Sequence, residues 1–101
     1  MIAQFSIVPL DAGENLSGEV ARIIEVVKRS GIDYRLTPMA TVVEGGFDEV
    51  MALIMDCHKL ARQSSRRVLT TIIIDDREGA KGRITGKIAA VEKKLGTKVK
   101  N

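Results

Sequence analysis

Glu44 is the single carboxylate in a β-prone stretch, Thr41-Val42-Val43-Glu44-Gly45-Gly46, that carries no other charge. A carboxylate there is either a solvent-facing strand end or an acceptor for a cationic or amine-bearing ligand, through charge-assisted hydrogen bonds. Ser6, Thr37 and Thr41 bring hydroxyls to the same region. A few convergent polar groups in apolar surroundings are the pattern of a small-molecule site. The other chemistry-bearing residues offer less. Cys57 and His58 are neighbours, but adjacent positions on a helix point about 100° apart and do not form a dyad. Cys57 falls on an apolar stripe and reads as a small core residue, while His58 flanks it as a helix-edge side chain or a polar group lining a pocket. Asp75-Asp76 with Arg77 reads as a solvated loop holding an exposed ion pair, or else as a metal-binding or acid–base pair. Arg66 and Arg67 read as solubilising charge at a strand start. Together with Arg77 they are also the positions at which an anion would be selected.

Motifs for catalysis and metal binding are missing. Gly79-Ala80-Lys81-Gly82 lacks the spacing of a phosphate-binding loop, and no CxxC or HExxH occurs. One His and one Cys cannot supply a structural zinc site. No enzymatic activity, cofactor or metal is therefore expected. A weak enzyme using Asp75, Asp76 or His58 would need those groups to converge in a pocket.

The elements that must position these residues follow from periodicity. Residues 2–8 read as a strand stopped by Pro9. Residues 11–15 form a loop, and Ser17 is placed as the N-cap of a first helix. Val20, Ile23, Ile24 and Val27 make its apolar face, and Gly31 ends it. Two strands, about 33–37 and 40–45, are joined by a turn with Pro38 at its second position. One long strand kinked at Pro38 is the competing reading. Asp48 is placed as the cap of a second helix with a stripe of Val50, Leu53, Ile54, Cys57 and Ala61. A strand at 68–74, a polar loop and a third helix at about 84–95 complete the order, with a basic tail at 98–101.

The order β-α-β-β-α-β plus a terminal helix predicts an α+β, ferredoxin-like sandwich: an antiparallel four-stranded sheet with two helices on one face. The chain of 101 residues suits one domain, 1–101. The last strand, Val68-Leu69-Thr70-Thr71-Ile72-Ile73-Ile74, is apolar or hydroxylated on both faces. A wet sheet face should alternate instead. The bare face is therefore expected to be covered by a second subunit, with the third helix folding back as the competing cover.

Bulk properties narrow the partners. The net charge is +3 but dispersed, and only three aromatic residues exist to stack bases, so no nucleic-acid partner is expected. The longest uncharged apolar run falls well short of the ~20 residues of a membrane span, and no secretory signal is visible. A single cysteine cannot form an internal disulfide. The cytoplasm is the expected compartment.

The string Ser30-Gly31-Ile32-Asp33-Tyr34-Arg35-Leu36-Thr37-Pro38-Met39-Ala40-Thr41-Val42-Val43-Glu44-Gly45 resembles the core motif of the small thiamine-binding protein family. Further matching pieces are Phe5-Ser6-Ile7-Val8-Pro9-Leu10, Asp48-Glu49-Val50, His58, Arg67-Val68, Ile74-Asp75-Asp76-Arg77 and Gly86-Lys87 through Val91-Glu92. Ala40 departs from the pattern, which has glycine there most often. The resemblance implies a ferredoxin-like fold whose sheets pair edge to edge and whose dimers stack face to face into a tetramer. It also implies binding of thiamine or its hydroxymethylpyrimidine part without catalysis. Thr37, Met39, Thr41 and Glu44 match the motif and carry over as ligand-binding positions, with Ser6 beside them. His58, Arg67 and Arg77 are the further pocket or anion contacts.

Overall fold

The computed structural model describes residues 1–11, 13–14 and 16–101. Its elements run β1 (Ile2–Pro9), α1 (Ser17–Ser30), β2 (Asp33–Leu36), β3 (Thr41–Glu44), α2 (Phe47–Ser64), β4 (Val68–Asp75) and α3 (Arg83–Leu95). The strands form one antiparallel sheet in the order β2-β3-β1-β4, the α+β arrangement expected of a ferredoxin-like sandwich with an added helix. The loop expected over 11–15 is described only at Asp11, Gly13 and Glu14; Ala12 and Asn15 lie outside the described residues.

Alternation along β1 builds the core. Ala3, Phe5 and Ile7 are buried on one face of the sheet, against Ile23 and Val27 of α1 and Val50, Leu53, Ile54, Cys57 and Ala61 of α2. The register carries that face across the sheet: Ala3 lies opposite Val43, and Phe5 opposite Thr41 on one side and Ile72 on the other. Burying the Val, Leu, Ile and Phe side chains among them contributes about 1.5–3 kcal/mol each. The apolar stripes expected for α1 and α2 are the faces that pack here.

The helix starts differ from expectation. Ser17 is the first helical residue of α1, and the residue before it, Leu16, supplies no side-chain cap. Gly46, extended at φ −66° and ψ 151°, occupies the cap of α2, so Asp48 falls in the first turn, where its charge favours the helix dipole. Gly31 stops α1 at φ 75°, a left-handed conformation that suits glycine.

The turn at Pro38 joins two strands, so the single kinked strand is excluded. Thr37 holds it: its hydroxyl accepts from the Met39 and Ala40 amides at 3.3 and 3.1 Å. The same hydroxyl donates to the Ala40 carbonyl at 2.8 Å, beside the Thr37 amide at 2.9 Å. Just past the C-terminal end of β1, Asp11 accepts from the Ser65 hydroxyl and from the Arg66 amide at 2.9 Å. Those two donors hold its carboxyl below the ordinary value.

The second sheet face carries α3. The helix folds back to pack on β3, the competing cover for the bare face, but it reaches only one corner. Leu69 and Ile73 of β4 stay 57% and 59% exposed on that face. No helix among the described residues is long and apolar enough to cross a membrane.

Candidate functional site

β1 and β3 differ in length, and that mismatch opens a cleft. β1 pairs with β4 over its whole length but with β3 only from Ile2 to Phe5, because β3 begins at Thr41. Beyond Phe5 the chain of β2–β3 turns away, and a cleft of about 200 Å³ fills the gap. Ser6, Ile7 and Val8 form one wall, and Leu36 through Thr41 the opposite one. The floor is apolar and comes from the start of α1, with Leu16, Val20, Ile23 and Ile24. No lining residue is charged.

Four of the expected ligand-binding residues line this cleft: Ser6, Thr37, Met39 and Thr41. Thr41 is only 6% exposed, and its hydroxyl makes no hydrogen bond with a described residue. It is the cleft's free, fixed polar group. The Thr37 hydroxyl is spent on the turn, so Thr37 shapes the wall rather than presenting a donor. Met39 stands at the rim, 87% exposed, where its flexible thioether is able to fold over an occupant. Ser6 shares the sheet face of Gln4 and Val8, opposite to the helices.

Glu44 does not join them. It lies three residues along β3 from Thr41, about 10 Å at the strand's rise, and on the opposite sheet face. Its carboxylate accepts from the Arg83 amide with both oxygens, at 2.8 and 2.9 Å, and from the Ile84 amide at 3.1 Å. Glu44 thus caps the N-terminus of α3 from a strand 39 residues away. Gly82, at φ 63°, turns the chain so that those amides face the carboxylate. The expected grouping of Glu44 with the hydroxyls fails because alternation puts Glu44 on the face opposite Thr41, and Ser6, on the same face as Glu44, lies four residues along β1 from Ile2, the partner of Glu44.

The remaining candidates are also dispersed. His58 Nδ1 shares a 2.6 Å hydrogen bond with Thr70 Oγ1, fastening α2 to β4 on the core side rather than lining the cleft. The Arg67 carbonyl accepts from the Leu10 amide at 2.9 Å and the Ser65 hydroxyl at 2.9 Å, while its side chain is exposed. Arg67 precedes and Arg77 follows β4, a strand about 25 Å long by its rise per residue. Arg66, Arg67 and Arg77 therefore form no common anion site. Asp75 pairs with Lys87 at 3.0 Å and Arg83 at 3.2 Å. The Lys87 hydrogen bond and charge, and then Arg83, hold its carboxyl below the usual range against a partial desolvation. Asp75 and His58 are on opposite sheet faces, so they do not converge either. Cys57 is fully buried, and desolvation, with the Asp56 charge, pushes its thiol up to about 11. No group of acidic, His and Cys side chains suited to a metal occurs among the described residues.

Sequence reasoning missed the cleft's apolar floor and the open edge of β1. The length mismatch that opens the edge, Ile2–Pro9 against Thr41–Glu44, was not legible, because the sequence reads as strands of nearly equal length at 2–8 and about 40–45. A second hollow of about 480 Å³ lies under α3, lined by Ile2, Val42, Ile84 and Ile88 with Arg35, Arg83 and Lys87 around it.

Residues 3–92 match the family model described as thiamine-binding protein. A UPF0045 protein of Methanocaldococcus jannaschii is 31% identical over 91 residues, covering 90% of this chain and 91% of the relative. A UPF0045 protein of Mycobacterium tuberculosis is 34% identical over 96 residues, covering 94% of each. The crystal structure of the M. jannaschii protein superposes with a TM-score of 0.83 at 31% identity, over 89% of this chain and 93% of that one. A Thermotoga maritima structure, provisionally described as a thiamine biosynthesis/salvage protein, gives a TM-score of 0.79 at 26% identity, over 89% of this chain and 96% of that one.

Proposed function

Because this chain belongs to the thiamine-binding protein family, we propose that it is a non-catalytic binding protein for the hydroxymethylpyrimidine part of thiamine. The carrying observation is the β1 cleft, an apolar floor between the wall of Ser6, Ile7 and Val8 and the wall that carries Thr37, Met39 and Thr41. Its 200 Å³ lies below the ~300–1,000 Å³ of pockets for drug-sized ligands, and suits one substituted ring better than two. Its lining offers no carboxylate, so the cationic thiazolium of intact thiamine would be desolvated without a partner. The neutral aminopyrimidine meets no such penalty. In this reading Thr41 supplies a side-chain hydrogen bond and Met39 closes over the ring. Glu44 acts through α3, not through the ligand.

The protein is further proposed to work as a cytoplasmic homo-oligomer. Support comes from β4, which among the described residues has no strand on one edge and exposes Leu69 and Ile73 on one face and part of Ile72 and Ile74 on the other. An uncovered edge of this length and hydrophobicity invites another chain.

Isothermal titration with 4-amino-5-hydroxymethyl-2-methylpyrimidine and with thiamine tests the binding. Saturable heats are expected for both, with the pyrimidine tighter. Thr41→Val keeps the shape and removes the hydroxyl, and should weaken binding about tenfold, the effect of one hydrogen bond of ~1–1.5 kcal/mol. Flat heats for both compounds on folded protein would refute the assignment.

A further inference from the structure

We propose that the main chain of Ile7 reads the ligand, through its N–H and C=O acting together as a donor–acceptor pair. This rests on the reading of the β1 cleft as a pyrimidine site and names the chemistry that site selects. In an antiparallel ladder the two backbone groups of one residue point to the same side, and the side alternates with each residue. The hydrogen bonds at the two ends of β1 fix the parity. Met1 donates to the Gly45 carbonyl at 2.9 Å and accepts from the Gly45 amide at 3.0 Å, so odd positions face β3. Leu10 donates to the Arg67 carbonyl at 2.9 Å, so even positions face β4. Ala3 and Phe5 therefore spend their backbone groups on Val43 and Thr41. Ile7 is the next odd residue, and β3 has already ended. In register its partner would be Met39, but the turn held by Thr37 carries that residue away.

Pro9 is an independent sign of the same open edge. Proline has no N–H and is tolerated in a sheet only where the ladder does not need one. Its position faces the side on which no described strand lies, so it costs no ladder bond.

The group that completes such an edge is a planar ring bearing a nitrogen acceptor next to an exocyclic amine. That N=C–NH2 edge presents an acceptor beside a donor in one plane, as a neighbouring strand residue would. A 4-aminopyrimidine has it, and a ring lacking the amine does not. Thr41 is adjacent, on the last strand residue before the gap, and offers its hydroxyl to a substituent of the ring.

Amide hydrogen exchange by NMR, with calorimetry on the same samples, tests the proposal. In the free protein the Ile7 amide should exchange at least tenfold faster than those of Ser6 and Val8, which face β4. Saturation with 4-amino-5-hydroxymethyl-2-methylpyrimidine should slow Ile7 by at least tenfold. The analogue with hydrogen in place of the amine is smaller, so no clash confuses the comparison, and it should bind at least tenfold more weakly. Binding of both compounds with equal affinity and no change at Ile7 would overturn the Ile7 assignment while leaving the pyrimidine site in place. Absence of saturable binding by either would overturn both.

Discussion

The two amide hydrogens that Glu44 accepts, from Arg83 and Ile84, are unsatisfied groups of the first turn of α3, and they set what its loss would do. Glu44→Ala is expected to lower stability by about 0.5–2 kcal/mol, the range for losing a helix cap, in urea denaturation. Pyrimidine affinity should stay within about twofold, since a bond not made to the ligand cannot be lost from it. Cys57 gives a second residue-level expectation. Its thiol is raised from 9.0 to about 11, so the protonated form is favoured by folding. The stability it contributes is complete below pH 9 and falls as pH rises toward 11. At pH 8 a thiol reagent should leave the native protein unmodified and react fully once urea unfolds it. A fast native reaction would contradict the buried placement. Thr37 and Thr41 were legible in the sequence as hydroxyls in one β-rich stretch, with Ser6 in the first strand, whereas Met39 came only from the resemblance to the family motif. The role of Glu44 was not legible. Its partners are backbone amides 39 residues away, and no local pattern encodes which helix end a carboxylate will meet.

At the scale of elements, the site is a consequence of one strand outrunning its neighbour. Eight residues of β1 face four of β3, and the Thr37 turn enforces the early stop. Alternation and the apolar stripes made the strand order and both core helices legible. Helix starts were misplaced by a residue or two because the cap depends on backbone conformation, as Gly46 shows. The position of α3 depends on contacts that periodicity does not report. Acid should release it. The folded-state carboxyl of Asp75 sits below its ordinary 3.8, so its bonds to Lys87 and Arg83 stabilise the helix above that pH. That contribution disappears as pH falls through the lower folded value. Protection of the α3 amides, relative to their intrinsic exchange at each pH, should therefore fall as pH drops below 3.8, before the core amides of β1 lose theirs. Simultaneous loss in both elements would count against separate docking.

For the whole molecule, the open question of the sheet's second face has a divided answer. α3 takes the corner at Ile2 and Val42, and the β4 side stays exposed. The run of apolar residues on both faces of β4 was visible in the sequence, and it is the structure's most exposed apolar strand. A charge placed there should oppose association. Ile73→Lys is expected to shift the protein toward monomer in analytical ultracentrifugation, with its circular dichroism spectrum unchanged. An oligomer of unaltered size would show that subunits meet elsewhere.

The central claim is that the ligand sits in the gap beside β1 and not in the larger hollow beneath α3. Titrating 4-amino-5-hydroxymethyl-2-methylpyrimidine into ¹⁵N-labelled protein and following backbone amide shifts tests this directly. The account predicts that perturbations gather at Ser6, Ile7, Val8, Thr37, Met39 and Thr41, with Arg83, Ile84 and Ile88 unmoved. Perturbations centred on Arg35, Ile84 and Ile88, with Ile7 and Thr41 silent, would place the ligand under α3 and contradict it.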